Sequence, residues 1–310
     1  MSNVNLLLGR IIIGIYFLVF GAIFKLFNYE FTLNYMFDHQ VPYTEISLII
    51  TIILQSVCSI LILVGVGLFA GVVNTLAGGG SLVTLPVLIL FLGMDEVTAN
   101  GTNRLMIIFS AFVANYGYTT KGIKTYPYGF YLGFSALIGA IIGASIAVDI
   151  DGDTFKRFLA IIMISIGLII VFNTKSISSH ELVERLNGKY LFYALLGFFF
   201  IGIYGGFLNA GVGIVIMLLL TTVNRVNLIR TNAIKAFAVF FYSLAALLIF
   251  AIEGKVDWIV GFWMVLGSII GAWFSSIWSV RKGGERVIRI TLLIMVIYMA
   301  IKLWLDTFST

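Results

Sequence analysis

Between Ile46 and Met94 the chain carries no charged side chain, and the run is interrupted by Asn74-Thr75-Leu76-Ala77-Gly78-Gly79-Gly80-Ser81 and then by Pro86. Three consecutive glycines and a nearby proline are poor at propagating a regular helix. What remains after the break, Leu82–Met94, spans only about 20 Å at about 1.5 Å per residue, short of a full membrane crossing. It reads as a half-helix or re-entrant segment.

Composition sets the environment of that break. The chain is 61% hydrophobic and 11% charged, with a mean hydropathy of +1.09, whereas soluble domains carry roughly 25% charge. A soluble fold of 310 residues cannot bury so much apolar surface. The expected fold class is therefore an all-α polytopic membrane protein in the lipid bilayer of the plasma membrane. The net charge of +5 comes mostly from short loops, a pattern that suits membrane orientation and argues against a nucleic-acid partner. One cysteine, Cys58, and two histidines, His39 and His180, exclude a disulfide framework, a zinc cluster and a multi-histidine haem site. No cofactor or metal is expected. The chain has no nucleophile–base constellation and no phosphate loop ending in Lys-Ser or Lys-Thr, so no catalytic residue is assigned and it reads as a non-enzyme.

Spanning helices need about 20 apolar residues. The candidates are Leu6–Phe27, Ile46–Val73, Thr102–Gly117, Phe130–Val148, Phe158–Phe172, Tyr190–Tyr204, Asn232–Ile252, Trp258–Val280 and Val287–Leu305. The first is read as a retained span and not a signal peptide, because Met1–Gly9 is uncharged and no small-residue cleavage pattern follows. The region with Arg281, Lys282, Arg286 and Arg289 is the most basic and is expected to be cytoplasmic. If every segment of the duplicated region crosses once, that side also carries Arg104, Lys156, Arg157, Arg225 and Arg230, nine in all, against Lys121, Lys124, Lys175, Arg185, Lys189, Lys255 and Lys302, seven, on the other. The two sides then come out nearly balanced, and orientation is weakly specified.

A second uncharged stretch, Tyr190–Asn224, breaks at Gly205-Gly206-Phe207-Leu208-Asn209-Ala210-Gly211-Val212-Gly213. Further echoes run in order. Gly67, Gly71 and Asn74 match Gly202, Gly206 and Asn209; Gly78 and Gly80 match Gly211 and Gly213; Thr102-Asn103 matches Thr231-Asn232; and Gly139/Gly143 match Gly267/Gly271. These imply an internal duplication: an N-terminal membrane segment over 1–64, a first repeat over 65–173, a linker over 174–189 and a second repeat over 190–310. The paired Gly139/Gly143 and Gly267/Gly271 read as surfaces for close helix packing. The two breaks read differently. Irregular backbone at membrane depth is tolerated only where it is buried or lines a cavity, and paired interrupted segments in two halves point to a transporter's central site.

The chemistry available at the breaks suits an oxyanion. A broken helix presents backbone N–H groups and the positive end of a helix dipole. Asn74, Thr75, Gly78, Gly79, Gly80, Ser81, Asn209, Gly211 and Gly213 supply neutral donors and acceptors. Close by, Thr102-Asn103-Arg104 and Arg230-Thr231-Asn232-Ala233-Ile234-Lys235 open helices. Arg104 and Lys235 have the wrong charge for a helix N-terminus, and an anion held between them would resolve the conflict. The alternatives are that the cations snorkel to the membrane surface and that Thr102, Asn103, Thr231 and Asn232 are caps. Asn100-Gly101-Thr102 also fits a glycosylation sequon, but it opens a helix at the membrane edge. No acidic residue lies convincingly inside a span, so no proton-coupling residue is named.

The stretch Gly67-Leu68-Phe69-Ala70-Gly71-Val72-Val73-Asn74-Thr75-Leu76-Ala77-Gly78-Gly79-Gly80-Ser81-Leu82 and Ala99-Asn100-Gly101-Thr102-Asn103-Arg104 resemble the TauE/SafE family of membrane permeases. Asn209-Ala210-Gly211-Val212-Gly213 and Arg230–Lys235 fit the same pattern with fewer glycines. The resemblance covers roughly 65–306. It implies a secondary transporter, an exporter of small sulfur-containing anions such as sulfite or organosulfonates. Leu8-Gly9-Arg10, Gly21–Phe27, Val41-Pro42 and the run Ile46–Gly65 are similar to the first half of DoxX-type membrane proteins. That similarity supplies the alternative of a membrane subunit or assembly partner of a redox enzyme. The expected partners are a small anion and the bilayer, with homo-oligomerisation left open.

Overall fold

The computed structural model describes residues 28–151 and 184–281, together with Lys25 and Thr154. The expected spans Leu6–Phe27, Phe158–Phe172 and Val287–Leu305 lie outside the described residues, as does most of the linker. A short helix α1 (Tyr29–Asp38) precedes α2 (Thr44–Ala77). After the first break come α3 (Ser81–Pro86) and a π-helical turn, Val87–Phe91. Pro86 lacks the N–H that would continue the ladder, and the wider turn follows directly. Then come α4 (Glu96–Thr120) and α5 (Tyr128–Asp149). The second half runs through α6 (Lys189–Phe207), α7 (Val212–Thr222), α8 (Leu228–Ile252) and α9 (Trp258–Ser279). No strand occurs among the described residues. The chain is an all-α, multi-pass membrane protein. Residues 64 and 65 both fall inside α2, which continues unbroken across them.

Five helices, α2, α5, α6, α8 and α9, are long and apolar enough to cross a membrane. The expected span Thr102–Gly117 is longer than the sequence suggested. α4 begins at Glu96, where Asp95 caps it through the Thr98 N–H. Its first half buries Asn100, Thr102, Asn103 and Arg104, which α4 tolerates because α8 and α9 cover it. Large apolar side chains such as Phe134, Ile146, Leu248 and Phe274 point outward instead, as contact with lipid requires.

The two halves interlock. α2 packs in parallel with α9: a Cβ on Gly67 would meet the backbone of Met264, and one on Gly71 that of Ser268. α6 packs in the same way with α5, Gly202 against Ala136 and Gly206 against Ala140. From the opposite side, Gly139 and Gly143 meet the α6 backbone, and Gly267 and Gly271 meet that of α2. These paired glycines are packing surfaces, as their spacing suggests.

At the centre α4 and α8 run antiparallel. Tyr118, near the end of α4, clusters with Ala233 and Ala236, near the start of α8. A Cβ on Gly101, near the start of α4, would meet Lys255 just past the end of α8. α4 and α8 hold equivalent places in the order of elements, and their antiparallel packing gives the two halves opposite topology, the arrangement of inverted repeats.

Inversion fixes the path of the broken segments. The Asn224 carbonyl accepts from the Arg185 N–H at 2.9 Å, and its side-chain amide donates to the carbonyls of Arg185 and Tyr190. The end of α7 therefore returns to the side where α6 begins. α2 runs parallel to α9, so it enters from the side where α4 begins, and α3 returns there. Both breaks are re-entrant.

This path corrects the expected charge balance, which assumed that every segment crosses. Among the described residues one face collects Lys121, Lys124, Arg185, Lys189, Arg225, Arg230 and Arg281, together with Glu184, which pairs with Arg230. The loops and helix ends of the other carry Asp38, Glu45, Asp95, Glu96, Asp149, Asp151, Glu253 and Asp257, with Lys255 as the one cation among those described residues. Cytoplasmic loops are the Lys/Arg-rich ones, so among the described residues the basic face carries the cytoplasmic signature.

Candidate functional site

The two breaks meet in the middle of the molecule. Gly78 ends α2 in the left-handed conformation (φ 72°) and bonds back to the carbonyls of Val73 and Asn74, the cap that glycine favours. The Gly213 N–H donates to the Gly78 carbonyl at 3.2 Å. A Cβ on either glycine would meet the backbone of the other. Gly79 accepts from Leu82, Gly80 is pressed against Asn74 and the Ala70 carbonyl, and Gly211 starts α7 at φ 70°.

Around the crossing lies a polar chain. The Tyr242 hydroxyl donates to Asn209 Oδ1 at 2.5 Å, and Asn209 Nδ2 reaches Ser81 Oγ at 3.5 Å. Asn103 Nδ2 donates to Ser81 Oγ at 3.0 Å, and Asn103 Oδ1 accepts from the Thr84 hydroxyl at 2.6 Å. Ser81 therefore joins the two breaks.

Each break also faces a cation from the other half. Lys235 Nζ, on a residue 2% exposed, donates to the carbonyls of Asn74 (3.1 Å) and Thr75 (2.9 Å) and to Asn232 Oδ1 (2.6 Å). Asn232 Nδ2 donates to the Leu76 carbonyl at 3.2 Å. At the other break, Arg104, 0% exposed, donates to the carbonyls of Gly205 and Gly206 and to Asn100 Oδ1. Asn100 Nδ2 donates to the Phe207 carbonyl at 2.7 Å. The Arg104 guanidinium also lies 5.6 Å from the Phe250 ring centroid.

These contacts change the physical account of the cations. Each sits near the start of its own helix yet on the C-terminal carbonyls of the opposing broken helix, where positive charge is favourable. The charge conflict seen in the sequence is thus met within the chain. Nor do the two cations share one spot. Lys235 lies level with Ala114 of α4, roughly 15 Å along that helix from Arg104. Two half-sites flank the crossing.

The pairing also revises the repeat register. Asp95 and Asn227 cap α4 and α8, and the asparagine the same distance further on, Asn100 or Asn232, bridges cation and carbonyl. Asn74 donates to Ser110 at 3.2 Å where Asn209 accepts from Tyr242, so Ser110 and Tyr242 correspond. The Thr102-Asn103 and Thr231-Asn232 echo is out of step by one turn. Thr102 instead accepts the Asp257 N–H at 2.8 Å in the α8–α9 loop, and Thr231 turns back to the Val226 carbonyl. Neither is at the crossing. Arg230 pairs with Glu184. Asn100 and Tyr242 were missed as site residues. The signal for Asn100 was its distance from the cap; Tyr242 left none, because its counterpart is a serine.

A small cavity touches the Lys235 half-site, lined by Asn74, Thr75, Ala111, Ala114, Lys235, Ala236 and Val239. It has room for about one water molecule. Thr75 Oγ1 is buried there without a hydrogen-bond partner. Among the described residues no cluster of His, Cys, Asp and Glu could hold a metal.

Residues 63–303 match the family described as "Sulfite exporter TauE/SafE", and residues 5–92 match DoxX. The chain is similar to a "Probable membrane transporter protein" of Haemophilus influenzae, at 32% identity over 79% of this chain and 94% of that one. It is also similar to "Probable membrane transporter protein ORF9" of a Sinorhizobium species (29%, over 76% and 89%) and "Probable membrane transporter protein YfcA" of Escherichia coli K12 (28%, over 78% and 88%). No solved structure matches the chain.

Proposed function

Because the chain belongs to the sulfite exporter TauE/SafE family, we propose that it is a secondary transporter exporting small sulfur-containing oxyanions such as sulfite or organosulfonates. The observation that carries this reading is the charge at the crossing. Lys235 and Arg104 are both buried at the breaks, and neither pairs with a carboxylate among the described residues. Ionisable groups inside a membrane domain are costly and mark ion pathways. A pair of buried cations held only by neutral groups favours an anion. Asn74, Ser81, Asn103, Asn209 and Asn232, with the backbone of Gly79, Gly80 and Gly211, are the neutral polar groups along the path. Inverted halves rocking about their crossing would expose it to each face in turn.

The test is sulfite and isethionate uptake into proteoliposomes, with and without an imposed pH gradient. Gradient-driven flux that disappears in Lys235→Ala supports the reading; absence of flux for every anion, in protein that is folded, rejects it. The match of residues 5–92 to DoxX favours a second reading, a membrane partner of a redox enzyme. α2 belongs to the interlocked core, so the discriminating deletion is residues 1–43. A transporter keeps its anion flux after that deletion, whereas a partner subunit loses its complex.

A further inference from the structure

Resting on the anion-transport reading, we infer that the two half-sites have different roles. The oxyanion is seated in the cavity beside Lys235, where the Thr75 hydroxyl donates to it, and Arg104 is a latch that holds α6.

The inference starts from the difference in space. Ser110 and Tyr242 hold equivalent places, one on each break's asparagine. On the Lys235 side the small residues Ala111, Ala114 and Ala236 line an open cavity. On the Arg104 side the Tyr242 ring lies against Gly205, and the Phe250 ring against the guanidinium. The second observation is Thr75. Its hydroxyl lines the cavity, the residue is 3% exposed, and Oγ1 has no partner. A buried hydroxyl without a partner is costly, and an oxyanion beside an ammonium supplies the missing acceptor.

The third observation is how each cation is held. The Lys235 ammonium is a compact charge on a flexible stem and can turn from the Asn74 and Thr75 carbonyls toward an anion a few ångströms away. Arg104 grips the adjacent carbonyls of Gly205 and Gly206 with a planar fork, a geometry that fixes the helix end. The cavity has room for only about one water, so seating sulfite requires the end of α2 to yield as Lys235 changes partners. Binding and movement of the broken helix are then one event. The seat lies about two turns from the start of α8, on the basic face with the cytoplasmic signature, where an exporter must load.

The experiment measures concentration-dependent uptake of radiolabelled sulfite in proteoliposomes for Thr75→Val, Thr75→Ser, Ala236→Val and Arg104→Lys, each checked for monodispersity in detergent. The expected result for Thr75→Val is a half-saturating concentration raised about tenfold with maximal rate within about twofold of wild type, the scale of one lost bond to a charged group. Thr75→Ser restores the wild-type value. Ala236→Val, which narrows the seat from α8, raises the half-saturating concentration too and stands in if Thr75→Val does not fold. Arg104→Lys lowers maximal rate about fivefold or more and leaves half-saturation within about twofold, because a latch acts on movement and not on occupancy. Wild-type flux with Thr75→Val or Ala236→Val unchanged in half-saturation overturns the seat and leaves the transport reading intact. Half-saturation that shifts with Arg104→Lys alone puts the seat on the other side. Absence of wild-type flux overturns the transport reading and this inference together.

Discussion

At the end of α2 the gripping cation is a lysine three residues after its asparagine; at the end of α6 it is an arginine four residues after. Both spacings put cation and asparagine on one helix face, so the same device is built twice with different parts. The asparagine bridges cation and carbonyl, and the cation neutralises the negative end of a helix that stops inside the membrane. What differs is the filling around it. Three alanines, Ala111, Ala114 and Ala236, border the space at Lys235, whereas Tyr242 and Phe250 close the surroundings of Arg104. An inverted duplication makes two half-sites of one design, and substitution in the lining then separates a place to bind from a place to hold.

The comparison breaks most completely at the point the halves share. Gly78 and Gly213 touch through their backbones, and a Cβ on either would lie inside the other. Gly213→Ala is a purely steric test; Gly78→Ala adds strain, because its φ of 72° disfavours any L side chain. Both variants are expected to lose folded protein, seen as aggregation on size-exclusion chromatography, with Gly78→Ala at least as severe. A monodisperse Gly213→Ala protein would show that the breaks do not cross as described.

Next in size is removal of the cations one at a time. Arg104→Ala leaves the carbonyls of Gly205 and Gly206 and the Asn100 amide oxygen without their donor among the Tyr242 and Phe250 rings, a change expected to cost about 3–5 kcal/mol, the scale of two or three unsatisfied buried acceptors. Lys235→Ala leaves the Asn74 and Thr75 carbonyls beside a cavity that admits water, and about 2 kcal/mol is expected, the scale of one charged hydrogen bond. Thermal unfolding in detergent ranks the two. Equal losses, or a larger loss for Lys235→Ala, would contradict the division into latch and seat.

How much of this could be read in advance follows from where the information resides. The membrane class, both breaks and the packing glycines were legible because each is a local property of composition or spacing: Gly78-Gly79-Gly80 cannot continue a helix, and Gly139/Gly143 present a flat face. The inversion was not legible. Whether α3 and α7 return or cross depends on contacts between Asn224 and Arg185 and between Gly101 and Lys255, which join residues far apart in the chain. Orientation depended on the same fact, so the basic residues could not be assigned to one face until both breaks were known to be re-entrant. Matching by identity misplaced the register of α4 and α8 because Thr-Asn recurs by coincidence one turn away from Asn100, whose role Asn232 shares. The Ser110–Tyr242 pair has no identity to match. Repeats keep the geometry of a position longer than its residue type, and Thr102 was the cost of reading identity alone.

Thr102 gives the smallest effect and separates cap from ligand. Its hydroxyl accepts the Asp257 N–H, and Asp257 in turn caps α9 through the N–H groups of Ile259 and Val260. The bond ties the start of α4 to the α8–α9 loop on the acidic face, far from Lys235. Thr102→Val keeps the shape and removes one neutral hydrogen bond, an expected loss of about 1 kcal/mol. Sulfite uptake should keep its half-saturating concentration, in contrast to Thr75→Val, because only Thr75 borders the cavity. A tenfold rise in half-saturation for Thr102→Val would return that hydroxyl to the anion's path and shift the binding step toward the Arg104 side.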